Sequence, residues 1–74
     1  MLLRELIIDE HTLSLNENGN VYVAVVKNSK GEKLFYHEYQ DYEKIKEFLD
    51  IIVEEYEGNR INIKRVLGIL ESSK

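Results

Sequence analysis

The chain has 74 residues and no cysteine, and its 14 acidic and 10 basic residues give a formal net charge of −4 at pH 7. Phosphate binding needs a basic face, so this charge argues against direct nucleic-acid binding and also disfavours anionic membrane surfaces. Without cysteine there is neither a disulfide framework nor a thiolate metal site, which fits a reducing compartment. A chain of this size buries only about 60% of its unfolded surface, so self-association or a bound partner would help to stabilise it.

The amino-terminal segment MLLRELIIDE predicts either a short strand or one helical turn. Arg4 and Glu5 interrupt its apolar residues, which is unlike the long apolar stretch of a signal peptide. The longest apolar run, from Val21 to Val26, has six residues, whereas a transmembrane helix needs about 20. We expect a soluble cytoplasmic protein that forms one small domain over residues 1–74.

Two similar tetrapeptides, NENG at 16–19 and NSKG at 28–31, predict turns. Each has Asn first and Gly fourth, which suits a type I turn followed by a left-handed glycine. The three strands of the resulting antiparallel meander would cover residues 11–16, 20–28 and 32–40, with Asn16 opposite Asn20 and Asn28 opposite Glu32. Because side chains alternate between faces, the predicted core face collects Leu13, Leu15, Val21, Val23, Val25, Phe35, His37 and Tyr39. The second face collects Thr12, Ser14, Tyr22, Ala24, Val26, Leu34, Tyr36 and Glu38.

A long amphipathic helix is predicted over residues 41–58, with Asp41 as its N-cap and Gly58 as a left-handed stop. Its apolar stripe is formed by Ile45, Phe48, Leu49, Ile52, Val53 and Tyr56. We expect this stripe to pack on the core face of the sheet.

The last segment, residues 61–71, has two interpretations. Ile61 and Ile63 alternate like a strand, but Ile63, Val66, Leu67 and Leu70 also form a helical stripe behind Asn62 as a cap. The predicted fold class is therefore α+β: a three-strand antiparallel meander, or four strands with this segment, packed on one long amphipathic helix.

The residues of the usual catalytic and metal sites are sparse. The serines, at positions 14, 29, 72 and 73, lie in no nucleophile motif, and no glycine-rich phosphate loop is present. His11 and His37 have no acidic neighbours at a metal-ligand spacing, so a structural role is predicted for both. We expect a non-catalytic protein with no cofactor and no metal site.

The second sheet face is the first surface that suggests a partner. It would carry a contiguous apolar and aromatic patch formed by Tyr22, Ala24, Val26, Leu34 and Tyr36. Small soluble monomers rarely expose such a patch. Either the first or last segment of the chain covers it, or a second copy packs on it and forms a homodimer.

The second such surface is on the predicted helix. The carboxylates recur at spacings of 4, 3, 4 and 3 residues, and Ile51 lies beside them; we call this set the acidic ridge (Glu43, Glu47, Asp50, Ile51, Glu54 and Glu57). The ridge is about 20 Å long at the helical rise of about 1.5 Å per residue. It is either a solvated helix face or a contact surface for a basic protein partner.

In size, acidity, lack of cysteine, and layout of hairpins with an acidic helix, the chain resembles phage-encoded inhibitors such as anti-CRISPR proteins and uracil-DNA glycosylase inhibitors. The resemblance implies a protein that imitates a nucleic-acid backbone and so binds a nucleic-acid-binding partner. We expect a non-catalytic interaction module that forms a homodimer and binds, and in this style inhibits, a partner protein. The alternative is a small accessory or ligand-binding domain with a pocket between sheet and helix or at a dimer seam, using Tyr side chains and His37.

Overall fold

The computed structural model describes all 74 residues as one antiparallel sheet packed against two helices. The strands are β1 (Leu2–Ile8), β2 (His11–Asn18), β3 (Val21–Lys27) and β4 (Lys33–Tyr39), and the helices are α1 (Tyr42–Glu57) and α2 (Ile63–Ser72). The spatial order of the strands, β1-β2-β3-β4, follows the chain. The α+β class and the antiparallel meander packed against α1 are confirmed, and the last segment, for which strand and helix were both open, adds the second helix.

The fourth strand comes from the amino-terminal segment, for which strand and helical turn were both open. Ile8 pairs with His11 across the two-residue turn of Asp9 and Glu10, whose φ angles are 50° and 62°. Positive φ at both central residues is the requirement of the tight hairpin turn that matches the strand twist. The carboxylate of Asp9 accepts a hydrogen bond from the backbone N–H of Ile63 at 2.8 Å, which fixes this turn to the start of α2.

The β2–β3 hairpin turns later than the NENG pattern predicted. Asn18 lies opposite Val21, and the loop is Gly19 and Asn20, with Gly19 at a φ of 63°. The predicted pairing of Asn16 with Asn20 is therefore wrong, since Asn16 lies opposite Val23. The register moves by an odd number of residues, and an odd shift turns every side chain of a strand to the other face.

The β3–β4 hairpin closes as predicted and then departs from its register. The backbone N–H of Asn28 donates to the carbonyl of Glu32 at 3.0 Å, and Gly31 has a φ of 83°. An irregularity follows, because Lys27 pairs with Lys33 and Val26 pairs with Phe35, which leaves Leu34 as an extra residue on β4. A bulge of this kind also reverses the faces of one strand relative to its partner.

The register shift of the β2–β3 hairpin and the bulge on β4 have the same effect on β3: each turns its predicted core face toward the open side of the sheet. Val26 and Ala24 lie in the core with no exposed surface, together with Leu13, Leu15 and Phe35 on the neighbouring strands. Val23 and Val25 lie on the opposite face, and Val23, although buried, is not part of the core cluster. The prediction that Val21, Val23 and Val25 face the helix is wrong.

Helix α1 agrees closely with the sequence pattern, except at its end. The side chain of Asp41 accepts a hydrogen bond from the N–H of Glu43, and Ile45, Leu49 and Ile52 are buried. Gly58 has a φ of −86°, and the left-handed residue is Asn59, at 55°. Asn tolerates this conformation better than most residues, so the left-handed position falls one residue after the predicted glycine, while the helix itself ends at Glu57.

The carboxyl-terminal segment is a helix, which decides between the two interpretations. The side chain of Asn62 accepts a hydrogen bond from the N–H of Arg65 at 2.9 Å and caps α2. Val66, Ile69 and Leu70 then turn inward at helical spacing. The helical stripe, and not the strand-like alternation of Ile61 and Ile63, therefore describes this segment.

Both helices lie on one face of the sheet, and the core between the two layers draws on every element. The core cluster consists of Ile8, Leu13, Leu15, Ala24, Val26, Phe35, Tyr39, Ile45, Leu49, Ile52, Val66, Ile69 and Leu70. Neither helix is long and apolar enough to cross a membrane. The second face of the sheet carries no helix and is open.

Candidate functional site: the open sheet face, the acidic ridge and the β1 edge

The open face of the sheet does not present the patch that the sequence predicted. Ala24 and Val26 have no exposed surface, and Tyr22 shares their face and packs against Tyr42 on α1, with ring centroids 5.1 Å apart. Burial raises the pKa of the Tyr22 phenol, and the nearby Glu17 carboxylate raises it further. Of the predicted patch, Tyr36 lies on the open face opposite Val25 and Leu34 is the exposed, unpaired residue of the bulge, so the five residues do not form one surface.

The surroundings of Tyr36 make the β4 side of the open face polar, beside the apolar Val23 and Val25 of β3. Its hydroxyl donates a hydrogen bond to Oε2 of Glu38 at 2.7 Å, which raises the pKa of the phenol. The ammonium of Lys33 lies 5.0 Å from the centre of the Tyr36 ring. These polar groups at the β4 end reduce the case for a face-to-face dimer.

The acidic ridge lies along the outer side of α1, where all six of its residues are exposed. Asp50 accepts from the ammonium of Lys46 at 3.0 Å, and this hydrogen bond raises the pKa of Lys46. No other ridge carboxylate has an ion-pair partner within the chain. Ile51, with 43% of its surface exposed, adds an apolar side chain beside the row.

Glu55 is the one acidic residue of α1 that turns from the ridge toward the other helix. Its two carboxylate oxygens accept from Nε and Nη2 of Arg65 at 3.0 and 2.8 Å. The hydrogen bonds from Arg65 hold the pKa of Glu55 below its ordinary value and raise the pKa of Arg65. This bidentate ion pair joins α1 to α2, so the carboxylate of Glu55 has a role in holding the fold together. The ridge carboxylates do not connect α1 to another element in this way.

The two histidines share the helix side of the sheet but are not brought together. Nδ1 of His11 lies 2.6 Å from the carbonyl oxygen of Asp9, and the His37 ring contacts the edge of the Tyr39 ring at 4.6 Å between centroids. No group of three or more His, Cys, Asp or Glu side chains is placed to hold a metal ion.

Three clefts open on the surface, and β1 lines each of them. The first, of about 450 Å³, lies between Ile7 and Ile8 on β1 and Tyr56 and Ile61 beyond them. The second, of about 290 Å³, lies between β1 and α1. The third, of about 340 Å³, is shared by Leu3, Glu17, Tyr22 and Tyr42. The helices therefore leave the β1 side of the sheet incompletely covered.

Sequence reasoning missed the outer edge of β1 as a candidate surface. β1 pairs with β2 on one side only, and four of the nine exposed large hydrophobic side chains belong to the first seven residues: Met1, Leu2, Leu3 and Ile7. The signal was present in MLLRELIID, because apolar residues at both odd and even positions give an edge strand apolar side chains on both faces.

Comparison with known proteins gives no relative: no family model, curated protein or solved structure matches this chain.

Proposed function

We propose that the protein is a non-catalytic interaction module that forms a homodimer and binds a partner protein through the acidic ridge. The observation that carries the proposal is the exposed row of carboxylates around Ile51, of which only Asp50 is neutralised within the chain. Like charges at helical spacing destabilise a helix by a few tenths of a kcal/mol per pair, so the row is costly to the isolated protein. A basic partner surface would offset this cost.

The charge of the ridge defines the chemistry of the partner. The formal net charge of −4 and the alignment of the carboxylates along one helix would attract a basic surface and speed association at low salt. Proteins that bind nucleic-acid backbones present such surfaces as grooves lined with Lys and Arg. A nucleic-acid-binding protein is therefore the proposed partner, and occupation of its groove would inhibit it. A cytoplasmic location belongs to the same proposal.

The test compares the wild-type chain with two variants of equal charge. The ridge variant carries Glu47→Lys, Asp50→Lys and Glu54→Lys, and the control carries Glu10→Lys, Glu32→Lys and Glu71→Lys, which are exposed acids outside α1. Each bait is used to capture proteins from a lysate of the host, with identification by mass spectrometry. We expect one basic protein that the wild-type and control baits retain, that the ridge variant loses, and that duplex DNA displaces.

Equal capture by all three folded baits would refute the role of the ridge. Thermal unfolding followed by circular dichroism first establishes that both variants are folded, so that a loss of capture reports on the surface rather than on the fold. If binding survives charge reversal but falls with the control variant, the contact surface lies elsewhere on the chain.

A second candidate function is binding of a small ligand in the cleft between β1 and α1. Its floor is apolar, with Leu15, Leu49 and Val53. Arg4, Lys46 and Asp50 also line it, and because Asp50 pairs with Lys46, Arg4 is the cation left to bind an amphipathic anion such as a short fatty acid. His37, expected to contribute to such a pocket, does not line it. A rise in melting temperature with decanoate that Arg4→Gln abolishes would support this candidate, and no shift would exclude that ligand class.

A further inference from the structure

The outer edge of β1 pairs with no other strand of the chain. An edge strand presents a row of unpaired backbone N–H and C=O groups, which is a template for another strand. β1 has seven residues, contains no proline, and exposes 62% of the Ile7 surface beside that edge. The unpaired backbone groups specify an extended strand as the occupant.

Both edge strands carry a bulge and charged side chains, which are the usual means of blocking strand addition. On β4 these are the bulge at Leu34 with Lys33 and Glu38, and on β1 they are the irregularity between Leu2 and Arg4 with Arg4 and Glu5, so the regular part of the β1 edge runs from Glu5 to Ile8. Pairing of β1 with the β4 edge of another molecule would generate an open chain of subunits rather than a closed assembly. Pairing of β1 with a second β1 closes after two copies.

The backbone bonds on the inner side show which residues point outward. Met1 and Glu17 exchange both backbone hydrogen bonds at 2.8 Å. Bonded and non-bonded residues alternate along β2, so the bonded residues that follow from Glu17 are Leu15, Leu13 and His11. The irregularity between Leu2 and Arg4 makes Arg4, Leu6 and Ile8 their partners, and these three residues bond inward to β2. Glu5 and Ile7 therefore direct their backbone groups toward solvent.

Charge selects the register of self-pairing. Cross-strand partners share a face of the sheet, so a residue pairs either with itself or with one an even number of positions away. A pairing centred on Arg4 or on Glu5 sets two like charges directly opposite, which is unfavourable. A pairing centred on Leu6 places Leu6 against its own copy and Ile7 against Glu5 of the second copy.

We infer that the homodimer of the proposed function forms by antiparallel pairing of β1 with β1 of a second copy, centred on Leu6, to give one continuous eight-strand sheet. In this register the outward groups of Glu5 and Ile7 meet each other across the interface and complete the unpaired ladder. The two-fold axis is perpendicular to the sheet, so both α1 helices lie on the same face. The dimer thus presents two acidic ridges to a partner, which would raise its avidity.

A single cysteine tests this geometry, because the chain has none of its own. Leu6 would be a non-bonded pair across the axis, with Cα atoms about 4.5 Å apart, within the range of about 4.4 to 6.8 Å that a disulfide spans. Leu6→Cys should form a covalent dimer nearly completely under mild oxidation at micromolar concentration. Tyr36→Cys, which is exposed on the open face, is the matched control and should remain mostly monomeric on a non-reducing gel.

Two substitutions at Ile7 test the register without a covalent bond. Ile7→Glu sets a carboxylate against Glu5 of the second copy at both symmetry-related positions, and Ile7→Lys sets an ammonium there. Sedimentation equilibrium should show a dimer dissociation constant at least about tenfold higher than that of the wild type for Ile7→Glu, and one no higher than that of the wild type for Ile7→Lys. Both variants expose the new side chain in the monomer, so the fold should be unaffected.

The outcomes separate this inference from the proposed function. A wild-type mass of twice 8.7 kDa, with the expected cysteine and Ile7 results, supports edge pairing. Efficient crosslinking of Tyr36→Cys but not of Leu6→Cys would overturn it in favour of a face-to-face dimer, and a wild-type chain that stays strictly monomeric would overturn it as well. If Ile7→Glu is monomeric and still captures the partner, but more weakly, the ridge binds the partner and the dimer adds avidity. If the ridge variant loses capture and remains a dimer, the ridge is not needed for dimerisation.

Discussion

The hydroxyl of Tyr39 at the end of β4 is hydrogen-bonded to the hydroxyl of Ser73, which follows α2 and has no exposed surface. Ser73 Oγ also donates to the carbonyl of Leu70 at 2.6 Å. Because serine has one hydroxyl proton, Ser73 accepts from Tyr39. The contact joins residues 34 positions apart and fastens the last turn of the chain to the sheet.

Removal of the acceptor hydroxyl and removal of the donor hydroxyl should lower the free energy of unfolding by different amounts. Ser73→Ala leaves the Tyr39 phenol unpaired in the core, which should lower the free energy of unfolding by about 1–3 kcal/mol. Tyr39→Phe leaves Ser73 bonded to Leu70 and should cost only about 0.5–1.5 kcal/mol. Urea unfolding of both variants and of the double variant measures the pairwise term, and equal losses in the two single variants would contradict the assigned donor.

The Glu55–Arg65 pair should make stability depend on pH in the acid range. The pKa of Glu55 is lower in the folded state than in the unfolded chain, so the pair stabilises above the unfolded pKa and its contribution disappears as the pH falls through the folded pKa. Glu55→Gln should therefore be less stable than the wild type at pH 7, and the difference should vanish in strong acid. Urea midpoints measured from pH 7 to about pH 2 check this.

Glu54→Gln is the control for that experiment. Glu54 is the neighbour of Glu55 but belongs to the acidic ridge and has no ion pair within the chain. Its substitution removes the same charge and should leave stability at pH 7 unchanged or slightly raised, because repulsion along the ridge is reduced. An equal loss in both variants would show that the pairing with Arg65 does not stabilise the fold.

The faces of β3 can be tested with an isosteric substitution. Val26 has no exposed surface in the core, whereas Val25 is half-buried on the open face. Val26→Thr buries a hydroxyl and should cost about 1–3 kcal/mol, and Val25→Thr should change stability by less than about 0.5 kcal/mol. Chemical unfolding of the two variants decides the register, and the reverse order of stabilities would restore the NENG-based pairing.

The glycines of the turns should respond differently to alanine. Gly19 has a φ of 63°, which an alanine side chain tolerates poorly, so Gly19→Ala should cost about 1–2 kcal/mol. Gly58 has a φ of −86°, and its added methyl group would meet only the flexible guanidinium of Arg60, which can move away. Gly58→Ala should therefore be neutral or slightly stabilising in thermal unfolding. A large loss at Gly58 would contradict the assignment of the left-handed position to Asn59.

The sequence determines the local elements well because their signals are local. The α1 stripe at Ile45, Leu49 and Ile52 and the Asp41 cap depend on residues within one or two turns of each other, so periodicity is enough to find them. The closure of the second turn between Asn28 and Glu32 is equally local. The exposed positions of the acidic ridge follow from the same periodicity.

Only the tertiary structure decides which way β3 faces. Val21 to Val26 is apolar throughout, so either alternate set satisfies the pattern, and the choice depends on the Gly19–Asn20 loop and on the bulge at Leu34. A one-residue error in either place exchanges the core and solvent faces. For this reason the apolar patch predicted on the second face of the sheet does not form there.

Long-range contacts also decide the two ends of the chain. The amino-terminal segment becomes a strand because β2 supplies its partner, and the last segment becomes a helix because Asp9 and Asn62 satisfy its first N–H groups while Ser73 fastens its end to Tyr39. The sequence alone determined an acidic α+β domain with one outward row of carboxylates. Packing decided which apolar residues remain exposed and that β1 lies at an unpaired edge of the sheet, because burial and strand pairing depend on distant residues.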